Sequence, residues 1–197
     1  MPSVEEKVEE HYKRILDSLG IRHYGKTEYI NMVITQALKK ADSKSGGFGN
    51  NFPDIQLLLE DSNSRRIPVM IEAKGCRNRL EKRGKEGKIV GVTYWESDSK
   101  THKKGDLNYS AVQQYAVNGA IHYGEAILDG GTYEEVIVIG INGTEVGVDG
   151  SITNPECKAY YLSEKNNRVP KLIDKITATD WSLLKTDNIN TLFGMID

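Results

Sequence analysis

The chain has 197 residues, of which 27% are charged and 38% hydrophobic, and its formal net charge is −2. This is enough for one domain that buries roughly 70% of the surface its unfolded chain exposes, without a disulfide or metal staple. No apolar run approaches the ~20 residues that span a bilayer; the acidic start MPSVEEKVEEHYKRIL is unlike a signal peptide, and Cys76 and Cys157 form no CxxC pair. A cytoplasmic protein with free thiols and no zinc site is therefore expected.

In chain order, Val4, Val8, Tyr12, Ile15 and Leu19 recur at helical spacing, which predicts a helix over 3–19 ended by Gly20. A second helix, with Thr27 as its cap, carries the stripe Ile30, Val33, Ile34, Ala37, Leu38 and Ala41. After the loop SKSGGFGNNFP come two strand-like runs, DIQLLLE and IPVMIEAKG, joined by the polar turn DSNSRR. Residues 74 to 104 then hold ten Lys/Arg against four acids, a local charge of +6 in a chain that is otherwise acidic. This segment reads as a long loop with one short strand, KIVGVTYW; it is either a solvated lysine-rich loop or a surface for phosphates. NYSAVQQYAVNGAIHYGEAIL predicts a third helix weakened at Gly119, and EEVIVIGING and KAYYLS predict further strands. TATDWSLLKTDNINTLFGMID closes the chain as one or two helical turns. The order implies an α/β domain with helices packed on a mixed sheet.

The two strands repay a register argument. If the turn is centred near Asn63, facing residues have an index sum of 126. Ile55, Leu57, Leu59, Ile67, Val69, Ile71 and Ala73 then share one apolar face, which must be the core face. Asp54, Gln56, Leu58, Glu60, Pro68, Met70, Glu72 and Lys74 share the other, with Asp54 facing Glu72. Directly opposed residues have Cβ atoms about 4.5–5.5 Å apart, and two carboxylates at that distance repel unless positive charge lies between them. A hard divalent cation would serve; so would a solvated outer face on which Lys74 bridges the acids.

Pro53-Asp54 followed by Glu72-Ala73-Lys74 resembles the motif of the PD-(D/E)xK nuclease superfamily. The proline–aspartate opens one strand, the ExK closes the next, a helix precedes them, and a Gln-bearing helix and the strand EEVIVIG follow. The resemblance covers about residues 27–142. It implies a restriction-endonuclease-like core in α-β-β-β-α-β order, with Asp54 and Glu72 as Mg²⁺ ligands and Ala73 contributing its carbonyl. Mn²⁺ would substitute for Mg²⁺, and Lys74 would orient the attacking water. Glu28, on the leading helix, is the acid that would complete the site, unless it only favours a helix N-terminus. Gln114, or Gln113, resembles the glutamine of RecB-type and restriction nucleases, though the tyrosine of the QxxxY pattern is absent. His122 reads as a packing histidine. Within the superfamily the chain is most similar to nuclease modules at the N-terminus of type IIG and type I-like restriction–modification enzymes.

Under this resemblance the chain is a metal-dependent endonuclease domain acting on double-stranded DNA, with Arg77, Arg79, Lys82, Arg83, Lys103 and Lys104 contacting phosphates. A methyltransferase and target-recognition region, in the same or a partner chain, would be its partner, and transient dimerisation on DNA would supply two cutting sites. Residues 1–165 would form the nuclease domain. Residues 166–197, with Trp181, Leu183, Leu184, Leu192 and Phe193, would form a helical extension that docks a partner or packs back on the domain. A repair or recombination nuclease, or a non-catalytic DNA-binding module of the same fold, are the alternatives.

Overall fold

A computed structural model describes residues 2–44, 51–84, 87–90, 97, 100, 103, 106 and 108–197. Helix α1 (Val4–Ser18) begins at a capping box, in which Ser3 and Glu6 exchange side-chain-to-backbone hydrogen bonds, and buries Val8, Tyr12 and Leu16. Helix α2 is shorter than its apolar stripe suggests: it spans Met32–Lys40 and is capped by Asn31, not Thr27. The Asn31 side chain accepts the Ile34 N–H, so residues 27–30 remain outside the helix.

Strands β1 (Ile55–Glu60) and β2 (Arg66–Lys74) form the antiparallel hairpin in the expected register, Ile55 facing Ile71 and Leu57 facing Val69. The third helical segment is two helices, α3 (Tyr109–Gln114) and α4 (Ala116–Asp129). The break falls at Tyr115, which is extended, and not at Gly119. Its cause is external: the Ala116 and Val117 amides donate to the carbonyls of Arg79 and Leu80, which anchors the start of α4 to the segment leaving β2. Strand β3 (Glu135–Asn142) then runs parallel to β2, with α3 and α4 supplying the crossover that parallel pairing requires. A small hairpin, β4 (Glu145–Val146) and β5 (Ile152–Thr153), leads to β6 (Glu156–Ser163) and the short β7 (Lys171–Leu172). The main sheet is mixed, five-stranded and ordered β1-β2-β3-β6-β7. The segment KIVGVTYW falls largely outside the described residues, so among those residues two strands, not three, precede α3.

Both sheet faces are covered. The face predicted as core, Ile55, Leu57, Leu59, Ile67, Val69, Ile71 and Ala73, packs under α1 and the C-terminal segment. Met70, with Val136 and Val138 of β3, packs under α2 and α4 on the other. The C-terminal residues belong to the first of these cores. Trp181, Leu184 and Ile189, with Leu192, Phe193 and Ile196 of α5 (Ile189–Ile196), are buried there, so this segment packs back on the domain and does not present those side chains for docking. Trp181 is 1% exposed and stacks on Tyr12 of α1 at 4.7 Å. Trp181→Ala should therefore cost about 3–5 kcal/mol of unfolding free energy, read as a lowered denaturant midpoint with little change in slope.

Candidate active site

The site forms where β1 begins and β2 ends. Asp54 stands one residue before β1, 2% exposed, and its Oδ2 accepts the Ala73 N–H at 2.7 Å. That bond holds the carboxylate against the end of β2, beside its facing residue Glu72, which is 3% exposed. Glu72 shares its sheet face with Met70, toward α4. Helix α4 approaches so closely at Gly119 that a Cβ there would lie 3.3 Å from Glu72 Cγ and 2.8 Å from the Val112 carbonyl oxygen. Gly119 is thus a contact residue of the site, and its weakening of the helix is the accompanying cost.

A third acid arrives from α1. Glu5, in its first turn, brings its carboxylate to Asp54 and Glu72, one oxygen of each lying within 4.8 Å of the others. Gly75, the residue after the ExK, makes this possible, because a Cβ there would lie 2.3 Å from the Glu5 amide nitrogen. Glu28 takes no part in this trio. It is exposed in the turn before α2, where its carboxylate accepts the Gly25 N–H at 3.0 Å. No spacing rule links Glu5 to a motif so far along the chain. The available hints were an acid beside the apolar stripe of the first helix and the glycine closing EAKG.

Positive charge surrounds the acids. Tyr24 bridges Gln56 through two backbone hydrogen bonds of 2.8 and 2.9 Å. Carried two residues further, that antiparallel register brings Lys26 beside Asp54, with Nζ 3.0 Å from Oδ1. Lys44 Nζ pairs with Glu72 Oε2 and lies 4.9 Å from the centre of the Tyr123 ring. Lys74, two residues beyond Glu72 on the same side and half-buried, lowers the proton affinity of both Glu5 and Glu72 through its charge. Neither Lys26 nor Lys44 stands out in the sequence, because their positions depend on a lone bridge and a loop.

Burial pushes the Glu72 carboxyl up to about 8, with the Asp54 charge adding to the shift and Lys44 opposing it. Asp54 also suffers desolvation, but the Glu72 carboxyl, the Ala73 N–H and Lys26 outweigh it and hold its carboxyl below the ordinary range. Burial also raises Glu5. The proton affinities of the two carboxyls are thus pushed apart, Glu72 upward and Asp54 downward. Three hard carboxylate oxygens this close suit a Mg²⁺- or Ca²⁺-like ion. Among the described residues they are the one group of three His, Cys, Asp or Glu side chains so placed.

The other predicted residues divide. Gln114 and Arg79 meet, Nη1 to Oε1 at 3.3 Å, and with Lys74 and Glu5 they line a cleft of about 340 Å³ beside the acids. Arg79 and Lys82 lie 5.1 and 5.7 Å from the centre of the Tyr115 ring, and Arg77 and Lys103 are exposed. Arg83 is instead committed to a brace: it donates to Glu81 at 2.7 Å, to the Gly87 carbonyl at 2.7 Å and to Tyr160 Oη at 3.2 Å. Lys104 lies outside the described residues. Gln113 donates to the Lys44 carbonyl at 2.6 Å, and the His122 ring nitrogen Nε2 lies 2.7 Å from the Asp42 carbonyl, so both contact the loop that carries Lys44. The Ala73 side chain is core, and its N–H serves Asp54. No described helix is long and apolar enough to cross a membrane.

Comparison with known proteins adds one similarity. Over 153 residues, 77% of this chain, it is 28% identical to the type II restriction enzyme and methyltransferase RM.BcgI of Heyndrickxia coagulans. The matched part is 20% of that protein, so the chain spans about one fifth of its relative's length. No family model and no solved structure matches.

The Glu72 shift has a consequence for stability. A carboxyl held near 8 in the fold, against an ordinary 4.5, favours folding below 4.5, and that contribution is lost as pH rises toward 8. Thermal melts in EDTA should show wild type losing stability across this window. Glu72→Gln, which cannot ionise, should show a flatter profile; identical slopes would refute the assignment.

Proposed function

We propose that this chain is a divalent-metal-dependent endonuclease domain that hydrolyses phosphodiester bonds of double-stranded DNA within a restriction–modification system. The observation that carries this reading is the hairpin register, which sets Asp54 beside Glu72 with Lys74 on the same side. The similarity to a restriction enzyme and methyltransferase supports it, as does the cleft lined by Glu5, Lys74, Arg79 and Gln114.

Asp54, Glu72 and Glu5 would hold the ion, with the Ala73 carbonyl as a further donor, and Mg²⁺ or Mn²⁺ there supplies Lewis-acid stabilisation of the phosphate and a more acidic water. The protein's own groups do the rest. The Ala73 N–H fixes the direction of the Asp54 carboxylate. Lys74 extends from the end of β2 on the Glu72 side, where an ammonium can orient the attacking water and offset charge growing on the phosphate. Its charge also favours the ionised forms of Glu5 and Glu72, the forms that bind a cation. Arg77, Arg79, Lys82 and Lys103 would bind backbone phosphates, which gives affinity without sequence information and makes binding salt-sensitive. Sequence choice then falls to a target-recognition region, and methyl protection to a methyltransferase, in this or a partner chain. Cutting both strands calls for two such sites, met by transient dimerisation on DNA.

Plasmid cleavage with Mg²⁺ tests the reading. Wild type should nick or linearise the plasmid, EDTA should stop it, and Lys74→Ala should slow it by roughly 10²–10³-fold, the scale of losing one charge-stabilising donor. Undiminished cleavage by Lys74→Ala would refute the assigned role. Absence of cleavage by wild type, with DNA binding retained, would favour a non-catalytic DNA-binding module. Arg79→Ala should weaken DNA binding about equally across sequences and reduce its salt dependence by about one phosphate contact, measured by fluorescence anisotropy at several salt concentrations.

A further inference from the structure

Two ammonium groups outside the motif neutralise the acids, and one of them is elaborately placed. Lys44 follows α2, and the backbone carbonyls of Ala41, Asp42 and Lys44 are held from three directions. The Asn51 side chain donates to the carbonyls of Leu38, Ala41 and Asp42 at 2.9, 3.2 and 3.0 Å. His122 meets the Asp42 carbonyl from α4, and Gln113 meets the Lys44 carbonyl from α3. Asn51 and His122 are themselves buried. So much anchoring for an ordinary surface lysine would have no purpose; here it delivers an ammonium, 17% exposed, to Glu72 Oε2. Lys26 makes the matching contact with Asp54, half-exposed and also 3.6 Å from Glu9.

These contacts use the carboxylates that a divalent ion would need. An ammonium on Glu72 Oε2 and a divalent cation on the same acid trio would repel at short range, with the Glu72 side chain too buried for water to screen them. We propose that Lys44, seconded by Lys26, is the resident counter-ion of this site and yields its carboxylate when a divalent cation enters. Cation loading and release of the Lys44 ammonium are then one exchange. This inference rests on the cation site assigned above. The Tyr123 ring, 4.9 Å from Nζ, remains as a cation–π seat for the released ammonium, and the anchored backbone limits the change to a swing of the side chain. The exchange also gives the trio a stable form without metal, since three clustered carboxylates with no counter-charge would oppose folding.

The experiment uses the whole chain and Ca²⁺ as the probe. Amine acylation followed by mass spectrometry, in EDTA and in saturating Ca²⁺, should show Lys44 labelling rising severalfold when Ca²⁺ binds. By calorimetry, Lys44→Met should bind Ca²⁺ about tenfold more tightly than wild type, a change of about 1.4 kcal/mol. The same variant should melt at lower temperature in EDTA, and Lys44→Arg should restore wild-type affinity. Lys74→Met, which removes a neighbouring charge not paired with Glu72, should change Ca²⁺ affinity less. The inference is overturned if wild type binds Ca²⁺ while Lys44 labelling is unchanged or slowed, or if Lys44→Met and Lys74→Met tighten binding equally. Wild type that binds no Ca²⁺ would instead overturn the cation site itself, and the exchange with it. The labelling arm needs no variant, so poor folding of Lys44→Met leaves the test intact.

Discussion

Like-charge repulsion at the end of a buried hairpin is the constraint around which this end of the molecule is arranged. Asp54 and Glu72 are almost wholly removed from water, and Glu5 is close to both. At about 5 Å and an effective dielectric of about 20, two such charges oppose each other by on the order of 3 kcal/mol. Every nearby polar group answers that cost. The Ala73 N–H and Lys26 attend Asp54, and Lys44 attends Glu72, whose carboxyl burial pushes upward.

Backbone contact is what allows separate elements to share the site. At Gly75 the first turn of α1 rests on the chain leaving β2 at a distance that leaves no room for a Cβ, and at Gly119 helix α4 meets Glu72 while the Val112 carbonyl closes off the space a Cβ would take. The sheet supplies a rigid floor, because β2 is central, paired with β1 on one side and β3 on the other. Asn142, at the end of β3, extends that support past the strand: its amide exchanges hydrogen bonds with the N–H and carbonyl of Cys76, at 3.3 and 2.8 Å, just beyond Lys74. Functional groups on strand ends, braced in this way, keep their geometry better than groups on loops.

The hairpin was the legible part of this site. Its alternation and polar turn carried enough information for the register, since a one-residue slip would have set Gln56, Glu60 and Glu72 in the core under α1 in place of the Ile/Leu/Val face. The acid that the structure brings to the pair is Glu5. The resemblance to the superfamily's leading helix puts Glu28 at the site, but Asn31 caps that helix and leaves Glu28 in the turn before it. Arg83 was read as a phosphate contact from local charge, whereas Glu81 and Tyr160 engage it. The tail with Trp181 and Phe193 offered a partner-docking reading, and its place in the core under α1 was decided by shape, through contacts such as Trp181 on Tyr12. Tyr160 and Tyr12 lie far along the chain from the residues they engage, and the helix cap lies four residues past Thr27.

By itself, the sequence determined what is local and periodic: the first helix, the hairpin and its two faces, and the motif Asp54, Glu72 and Lys74 on one of them. Periodicity and turn chemistry act over a few residues, so they can be read without coordinates. Only the tertiary structure decided that Glu5 is the third acid, that Lys26 and Lys44 supply the balancing charge, and that α4 begins anew after Tyr115. Those outcomes depend on which backbones can touch at a glycine and which distant carbonyl accepts a helix amide, and such contacts exist only once the sheet has brought the elements together.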